Sequence, residues 1–179
     1  MGKYRMAFRT RTIRLLAFIT CFAPTLLAAE INVSDQSIPT ENRLMALSVR
    51  STNDIWTAGT QGTIFRSQDG GASWQQVNGP DNTAQFEFRD VEALSNGVVI
   101  VMSAGVGKDS NIYRSSDNGK SWQHVMQATD ENAFFNCVSF EDDKTGWLYG
   151  DAVQNKPYVL KTLDAGLSWH REVIPIKPL

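Results

Sequence analysis

Three carboxylates, Asp69, Asp117 and Asp164, recur at intervals of 48 and 47 residues (117 − 69 and 164 − 117). Each has a Ser or Thr two residues before it and a Gly two residues after it. A carboxylate in such a pattern invites an acid–base reading, because proton transfer in the transition state is a common source of rate. A second set comprises Arg43, Arg89, Asp90 and Asn136, which stand at the starts of short apolar runs. Two arginines converging in a concavity would hold a carboxylate or another anion through their planar forks of donors. Other candidates are weaker. Gly105-Val106-Gly107-Lys108 lacks the upstream glycine of a phosphate loop, and Asp109 stands where Ser or Thr is required, so it reads as a loop between strands. Glu141-Asp142-Asp143 has no further oxygen-ligand spacing and reads as a solvated turn rather than a calcium loop. His124 and His170 each lie just after a Trp and do not form a metal pair, so no metal and no cofactor is expected. Cys137 stands in an apolar stretch and reads as a small buried hydrophobe.

The elements that position these residues come from a repeat. Ile64 to Trp74, Ile112 to Trp122 and Val159 to Trp169 share one pattern: apolar, apolar, basic, then Ser/Thr-x-Asp-x-Gly-x-Ser-Trp. The fixed positions are Ser67, Asp69, Gly71 and Trp74; Ser115, Asp117, Gly119 and Trp122; and Thr162, Asp164, Gly166 and Trp169. The hydroxyl and carboxylate can accept backbone N–H bonds inside a tight turn. The glycine supplies a left-handed backbone position without a Cβ clash. The Trp opens the next strand with a large apolar plate. Each motif therefore reads as a β-hairpin closed by its own turn. A residue repeated at every such turn serves the turn, which removes the three aspartates from the catalytic candidates.

A repeat of about 40–50 residues suits a four-stranded propeller blade. The remaining strands are predicted over 45–49 and 55–58, over 91–94 and 98–102, and over 135–140 and 147–149, with the fourth strand of each blade running through Val77, Val125 and Val173. Polar turns separate the strand pairs, and the mature chain carries no helical period. The expected fold is an all-β propeller with three four-stranded antiparallel blades, at about 43–79, 88–127 and 134–175. Innermost strands line the channel of such a fold. Arg43, Arg89 and Asn136, at offsets of 46 and 47 (89 − 43 and 136 − 89), are expected at equivalent places near one channel mouth.

Composition narrows the function. The chain has 179 residues, 17 basic and 19 acidic side chains, 42% hydrophobic residues and 5 Trp, which is a globular composition. Residues 1–29 hold five basic residues and no acid, followed by an apolar stretch from Leu15 to Leu27 and by Ala28-Ala29. This reads as a secretory signal cleaved near Ala29. It is shorter than the roughly 20 residues of a spanning helix, and Pro24 interrupts it, so no stable membrane span is expected after cleavage. The remaining residues 30–179 hold 12 basic against 19 acidic groups, a net −7, which excludes the basic face of a nucleic-acid binder. Removal of the signal takes Cys21 with it and leaves Cys137 without a disulfide partner. That fits an exported chain in a bacterial periplasm, or a secreted one, better than a disulfide-stapled domain.

The motif Ser/Thr-x-Asp-x-Gly-x-Ser-Trp resembles the Asp-box, or BNR repeat, of sialidase-like β-propellers. With the flanks Asp54-Ile55-Trp56-Thr57-Ala58-Gly59, Phe88-Arg89-Asp90-Val91-Glu92-Ala93 and Thr145-Gly146-Trp147, the chain is similar to the photosystem II assembly and stability factor family. The resemblance implies a non-enzymatic propeller that grips a protein or peptide through an arginine-bearing face, here Arg43 and Arg89. It also implies that the turns lie on the outer rim. The alternative is a sialidase-like glycoside hydrolase or carbohydrate-binding propeller. That chemistry needs an arginine triad and a Glu-activated Tyr. Tyr113 falls in a motif strand, and Ser37 stands before Ile38-Pro39 where sialidases begin with Arg-Ile-Pro. Closed propellers have about four to eight blades. Three blades suggest the N-terminal half of a larger ring, with Ile31-Asn32-Val33 and Ile38-Pro39 resembling the outer strand that closes it. Alone, three blades would leave open faces and edges for self-association, as when two chains complete a six-bladed ring. Replacing Asp117 by Ala is expected to lower the thermal midpoint and leave ligand affinity intact, measured by thermal melts and titration; a loss of affinity without loss of stability would return the carboxylate to the site.

Overall fold

Where the apolar-apolar-basic triplet recurs, a strand forms and folds back on its neighbours through a turn that bonds itself. The computed structural model of the chain describes residues 35–175. Twelve strands form three antiparallel sheets, each a simple meander. Blade 1 is β1 (Leu44–Val49), β2 (Ile55–Gly59), β3 (Ile64–Ser67) and β4 (Gln75–Gln76). Blade 2 is β5 (Glu87–Ala93), β6 (Val99–Ala104), β7 (Asn111–Ser115) and β8 (Gln123–Gln127). Blade 3 is β9 (Phe135–Phe140), β10 (Gly146–Val153), β11 (Lys156–Thr162) and β12 (His170–Glu172). This is the β-propeller architecture expected from the repeat. The expected secretory signal and Ile31-Asn32-Val33 lie outside the described residues. Ile38-Pro39 is described and joins no strand. Val77 and Val173 fall just past β4 and β12, although the Val77 amide still donates to the Ile64 carbonyl at 2.9 Å.

The three turns are chemically superimposable. In the first, the Ser67 hydroxyl donates to Asp69 at 2.8 Å and accepts from the Gly71 amide at 2.7 Å. Asp69 also accepts from the Ser73 amide at 2.8 Å and the Ser73 hydroxyl at 2.6 Å. Ser115, Asp117, Gly119 and Ser121 repeat this pattern, as do Thr162, Asp164, Gly166 and Ser168. Hydrogen bonds from Ser121 and Ser115 hold the Asp117 carboxyl far below the usual carboxylate range. The charge at the turn therefore persists across the working pH range and keeps its bonds.

Two apolar joints stack the blades. Trp56, Ala58 and Ile64 of blade 1 pack on Phe88, Val91 and Val101 of blade 2. Ile100, Met102 and Ile112 of blade 2 pack on Val138, Leu148 and Leu160 of blade 3. Burying each large side chain contributes about 1.5–3 kcal/mol. The turn glycine enters the joint: a Cβ built on Gly119 would lie 2.9 Å from Val77 and 3.0 Å from Trp56. Polar bonds also cross each joint. The Ala93 amide donates to Ser48 at 3.0 Å and the Val138 amide to Asp90 at 2.8 Å.

Strand pairing corrects the sequence register. Val49, Ile55 and Ser67 lie in one row of blade 1, matched by Ala93, Val99 and Ser115 in blade 2. Ile55 to Ser67 is 12 residues (67 − 55), whereas Val99 to Ser115 is 16 (115 − 99), so the β2–β3 hairpin is four residues shorter. The inner strands of blades 1 and 2 are therefore 44 residues apart (93 − 49), although their turns are 48 apart (115 − 67).

Gly119 has φ +79° and Gly71 has φ +95°, but a Cβ on Gly71 would meet nothing nearer than 4.0 Å. Gly71→Ala should cost only the backbone strain, about 1 kcal/mol, and Gly119→Ala about 2–4 kcal/mol because it also opens a packed joint. Denaturant unfolding of the two variants measures the difference; equal losses would mean that Gly119 contributes only its backbone conformation.

Candidate functional site

The innermost strands β1, β5 and β9 pack successively on one another. Each carries a bulge near its start, where two residues oppose one and the extra side chain is re-aimed. The extra residues are Met45, Arg89 and Asn136. Arg43 is thus not the equivalent of Arg89, because the shorter hairpin of blade 1 shifts the count. Its equivalent is Glu87, one place before Phe88 as Arg43 is one place before Leu44.

That placement governs the charges. Arg43 and Glu87 form an ion pair at 3.5 Å, with their side chains 67% and 49% exposed. So open a pair is worth little and leaves both groups available to another partner. Arg89 is exposed, and its guanidinium lies 5.5 Å above the Phe134 ring. Asn136 is half-buried and donates from Nδ2 to Asp151 at 2.7 Å. Asp90 accepts the Val91 amide at 2.9 Å and the Val138 amide at 2.8 Å, so it braces the joint between blades 2 and 3. Burial raises the Asp90 carboxyl against the pull of those bonds. Neither arginine pairs with Glu41 or Asp90, the acids nearest in sequence. Cys137, expected in the core, is exposed, because strand alternation sets it on the face of blade 3 opposite to Val138, paired with the half-exposed Tyr149 and covered by no other described blade.

Two features escaped the sequence reading. Glu92, two residues beyond Asp90, is pushed up to about 7 by burial and by the Asp90 charge. The only signal was a second acid at an alternate position of one strand. The other is a cluster of Arg50, Asp54 and Arg66. Arg66 reaches Asp54 through Nε at 2.8 Å and Nη2 at 2.9 Å, and Arg50 reaches it through Nη1 at 2.9 Å. Arg50 continues to Asn118 of blade 2 at 2.6 Å, so the cluster ties the two blades together. Burial raises the Asp54 carboxyl, but the Arg66 hydrogen bond and the two guanidinium charges outweigh it and hold the group below its ordinary value. Both guanidinium groups also lie over the Trp56 ring, at 5.7 and 5.0 Å.

Among the tyrosines, Tyr113 stacks on His124 at 4.9 Å inside its blade, and Tyr158 lies under Arg171 at 3.6 Å. Among the described residues no group of three or more His, Cys, Asp or Glu is placed to hold a metal ion, and no helix is long and apolar enough to cross a membrane. The inner strands carry exposed cations, one resting on an aromatic ring, beside amide and carboxyl groups.

The family described as sortilin, neurotensin receptor 3 (Sortilin-Vps10) matches residues 62–174. No curated protein matches the chain at a significant level. Among solved structures, YCF48 bound to D1 peptide aligns with TM-score 0.60 at 16% identity, over 75% of this chain and 40% of that one. YCF48 from Cyanidioschyzon merolae aligns with TM-score 0.58 at 21% identity, over 77% and 43%. An ancestral GH74 enzyme aligns with TM-score 0.53 at 25% identity, over 75% and 19%. The chain spans less than half the length of these structures.

The Glu92 shift fixes a pH dependence. A carboxyl raised in the folded state contributes its stability below the ordinary carboxylate range and loses it as pH rises through about 7. Glu92→Gln should therefore match the parent more closely at about pH 5 and melt above it at about pH 8. Thermal unfolding at the two values tests this; a gap of the same size at both would show that Glu92 does not titrate with folding.

Proposed function

The chain belongs to the Sortilin-Vps10 family, and on that premise we propose that it is an exported, non-enzymatic propeller scaffold that binds a protein or peptide, in the manner of the photosystem II assembly factors it resembles. The observation that carries this reading is Arg89, exposed at a bulge of the inner strand and set over Phe134, two residues from the open Arg43–Glu87 pair. A carboxylate arriving there gains charge-assisted bonds from a guanidinium already oriented by the ring, at little desolvation cost. Arg43 can exchange its weak intramolecular pair for a partner's acid. Asn136 and Asp151 supply donors and acceptors for a peptide backbone. The likeness to YCF48 bound to D1 peptide supports an extended peptide as the ligand class. The reading places the mature chain in the periplasm or outside the cell.

Glycoside hydrolysis is the second reading, favoured by the GH74 likeness and by the raised carboxyl of Glu92, a group that could donate a proton near neutral pH. Asp90, which would have to act beside it, is instead engaged by two backbone amides that brace a joint.

Titration of a labelled D1 peptide by fluorescence anisotropy separates the readings. We expect saturable binding that weakens with salt and falls by about tenfold or more in the Arg43→Ala/Arg89→Ala double variant, roughly 1.4 kcal/mol. A fluorogenic sialoside should remain intact in the same preparation. Undiminished binding by the double variant at low salt would remove the arginine face, and turnover that disappears in Glu92→Gln would establish the hydrolase.

A further inference from the structure

The two joints differ where the last strand of the later blade begins. Trp122 packs against the core between blades 1 and 2, and Trp169 against that between blades 2 and 3. The Trp122 indole reaches across its joint and donates to the Asn78 carbonyl of blade 1 at 2.8 Å. Trp169 keeps its N–H within its own turn, on the Gly166 carbonyl at 3.1 Å. Beside Trp169 a cavity of about 400 Å³ lies between blades 2 and 3. The residues behind the Trp change with it. Blade 2 has Asn111 four places before its turn hydroxyl and His124 two places after its Trp. These two bond each other at 2.9 Å, and Asn111 Nδ2 donates to the Lys108 carbonyl at 2.9 Å. Blade 3 has Tyr158 and Arg171 at the same places, with the guanidinium 3.6 Å from the centre of the Tyr158 ring. A polar network satisfied within one blade is thus replaced, in the next, by an aromatic ring under a cation.

We propose that this cavity binds a small amphipathic carboxylate, an aromatic or branched aliphatic acid, with its apolar body against the joint and its head on Arg171 and Lys156. The floor is apolar: Leu160 and Tyr158 are 2% and 4% exposed, and Met126 and Trp169 continue the lining. Arg171 and Lys156 line the same cavity and are exposed to solvent. Guanidinium and ammonium groups only donate, so they favour a ligand that accepts at both oxygens over a neutral hydroxyl. Arg171 is set in advance: its Nη2 donates to the Pro157 carbonyl at 2.8 Å while the group rests on Tyr158, which holds the remaining donors of the fork in one orientation. Asp130, on the blade 2 wall, accepts the Asn132 amide at 2.9 Å, and its charge repels a carboxylate toward the blade 3 side. The walls are held by their own bonds. The Ala128 amide donates to the Ser110 carbonyl at 2.9 Å, and the Ala133 amide to the Asp130 carbonyl at 3.1 Å. The β10–β11 hairpin turns on Gln154 and Asn155 alone, at φ +52° and +60°. A preformed cavity with an apolar floor and a few placed charges has the make-up of a small-molecule site.

Calorimetric titration of the full chain with 3-phenylpropionate tests the site. We expect saturable binding that weakens by about tenfold or more for 3-phenylpropionamide, which keeps the ring and loses the charge. Arg171→Gln should weaken the acid by a similar factor and leave the amide unchanged, with a thermal midpoint close to the parent because the side chain is exposed. Lys156→Gln should act in the same direction. The Arg43→Ala/Arg89→Ala variant should bind the acid as the parent does, so failure of the peptide face and failure of this cavity are separate results. N-acetylphenylalanine identifies the source of the carboxylate: binding as tight as that of 3-phenylpropionate assigns the site to the carboxyl terminus of a peptide, and weaker binding to a free small acid. Equal affinity for acid and amide overturns the proposal. So does a parent chain that shows no saturation into the millimolar range, or an Arg171→Gln variant that binds the acid undiminished.

Discussion

A blade's turn glycine resting on the large side chain of the blade before it is the contact on which the remaining structure depends. A four-stranded meander of this size buries too little apolar surface to stand alone, so each sheet needs a neighbour on its flat face. Gly119 lets the backbone of one turn approach the ring of Trp56, and Gly166 does the same over Ile100. The hydroxyl–carboxylate bonds of the turn hold that glycine in place. Turn chemistry and core packing are therefore one device: the Asp shapes a loop whose product is a shallow, close-fitting cap on the neighbouring blade.

Trp56 shows how the competing terms resolve. Its indole N–H is buried without a partner, as is Nε of Arg50. Each orphan costs about 1–3 kcal/mol. Against this stand the apolar burial of a whole indole, the two guanidinium groups over its face, and the charge-assisted bonds converging on Asp54. The three charged side chains are only 10–20% exposed, so removing one would strand the others in a poorly solvated place. The cluster acts as a clasp between blades 1 and 2, where blade 3 has only Lys161 over a half-open Trp147.

The inner strands divide their polar residues by task. Asp90 braces a joint through backbone amides, and Glu92 is half-hidden beside it. Arg43, Glu87 and Arg89 stay in solvent, where their charge can be spent on a partner. Bulges make this division possible: one extra residue per inner strand lets alternate side chains enter the joint while Arg89 lies over Phe134 and Asn136 reaches Asp151. The bulged strands thus combine a rigid frame with a few re-aimed side chains.

Much of the fold was legible in one dimension because the turn is local. Ser67 to Ser73 contains every donor and acceptor that its loop needs, so the spacing of a few residues specifies it, and its recurrence near every 48 residues specifies a stack of similar blades. Strand alternation likewise marks Val91 and Val138 for the core. The register of the inner strands was not legible, since a four-residue difference in one hairpin leaves no mark on the turn spacing, and it moved Arg43 from the place of Arg89 to that of Glu87. The exposure of Cys137 and the burial that raises Glu92 depend on which neighbouring blade lies across a face. The sequence by itself determined the turns, the strands and the blade count of the described chain, because those rest on contacts within a few residues. Only the tertiary structure decided which charges meet, which carboxyl is buried and which apolar faces remain open, because those are set by backbone segments more than forty residues apart coming within a few ångströms.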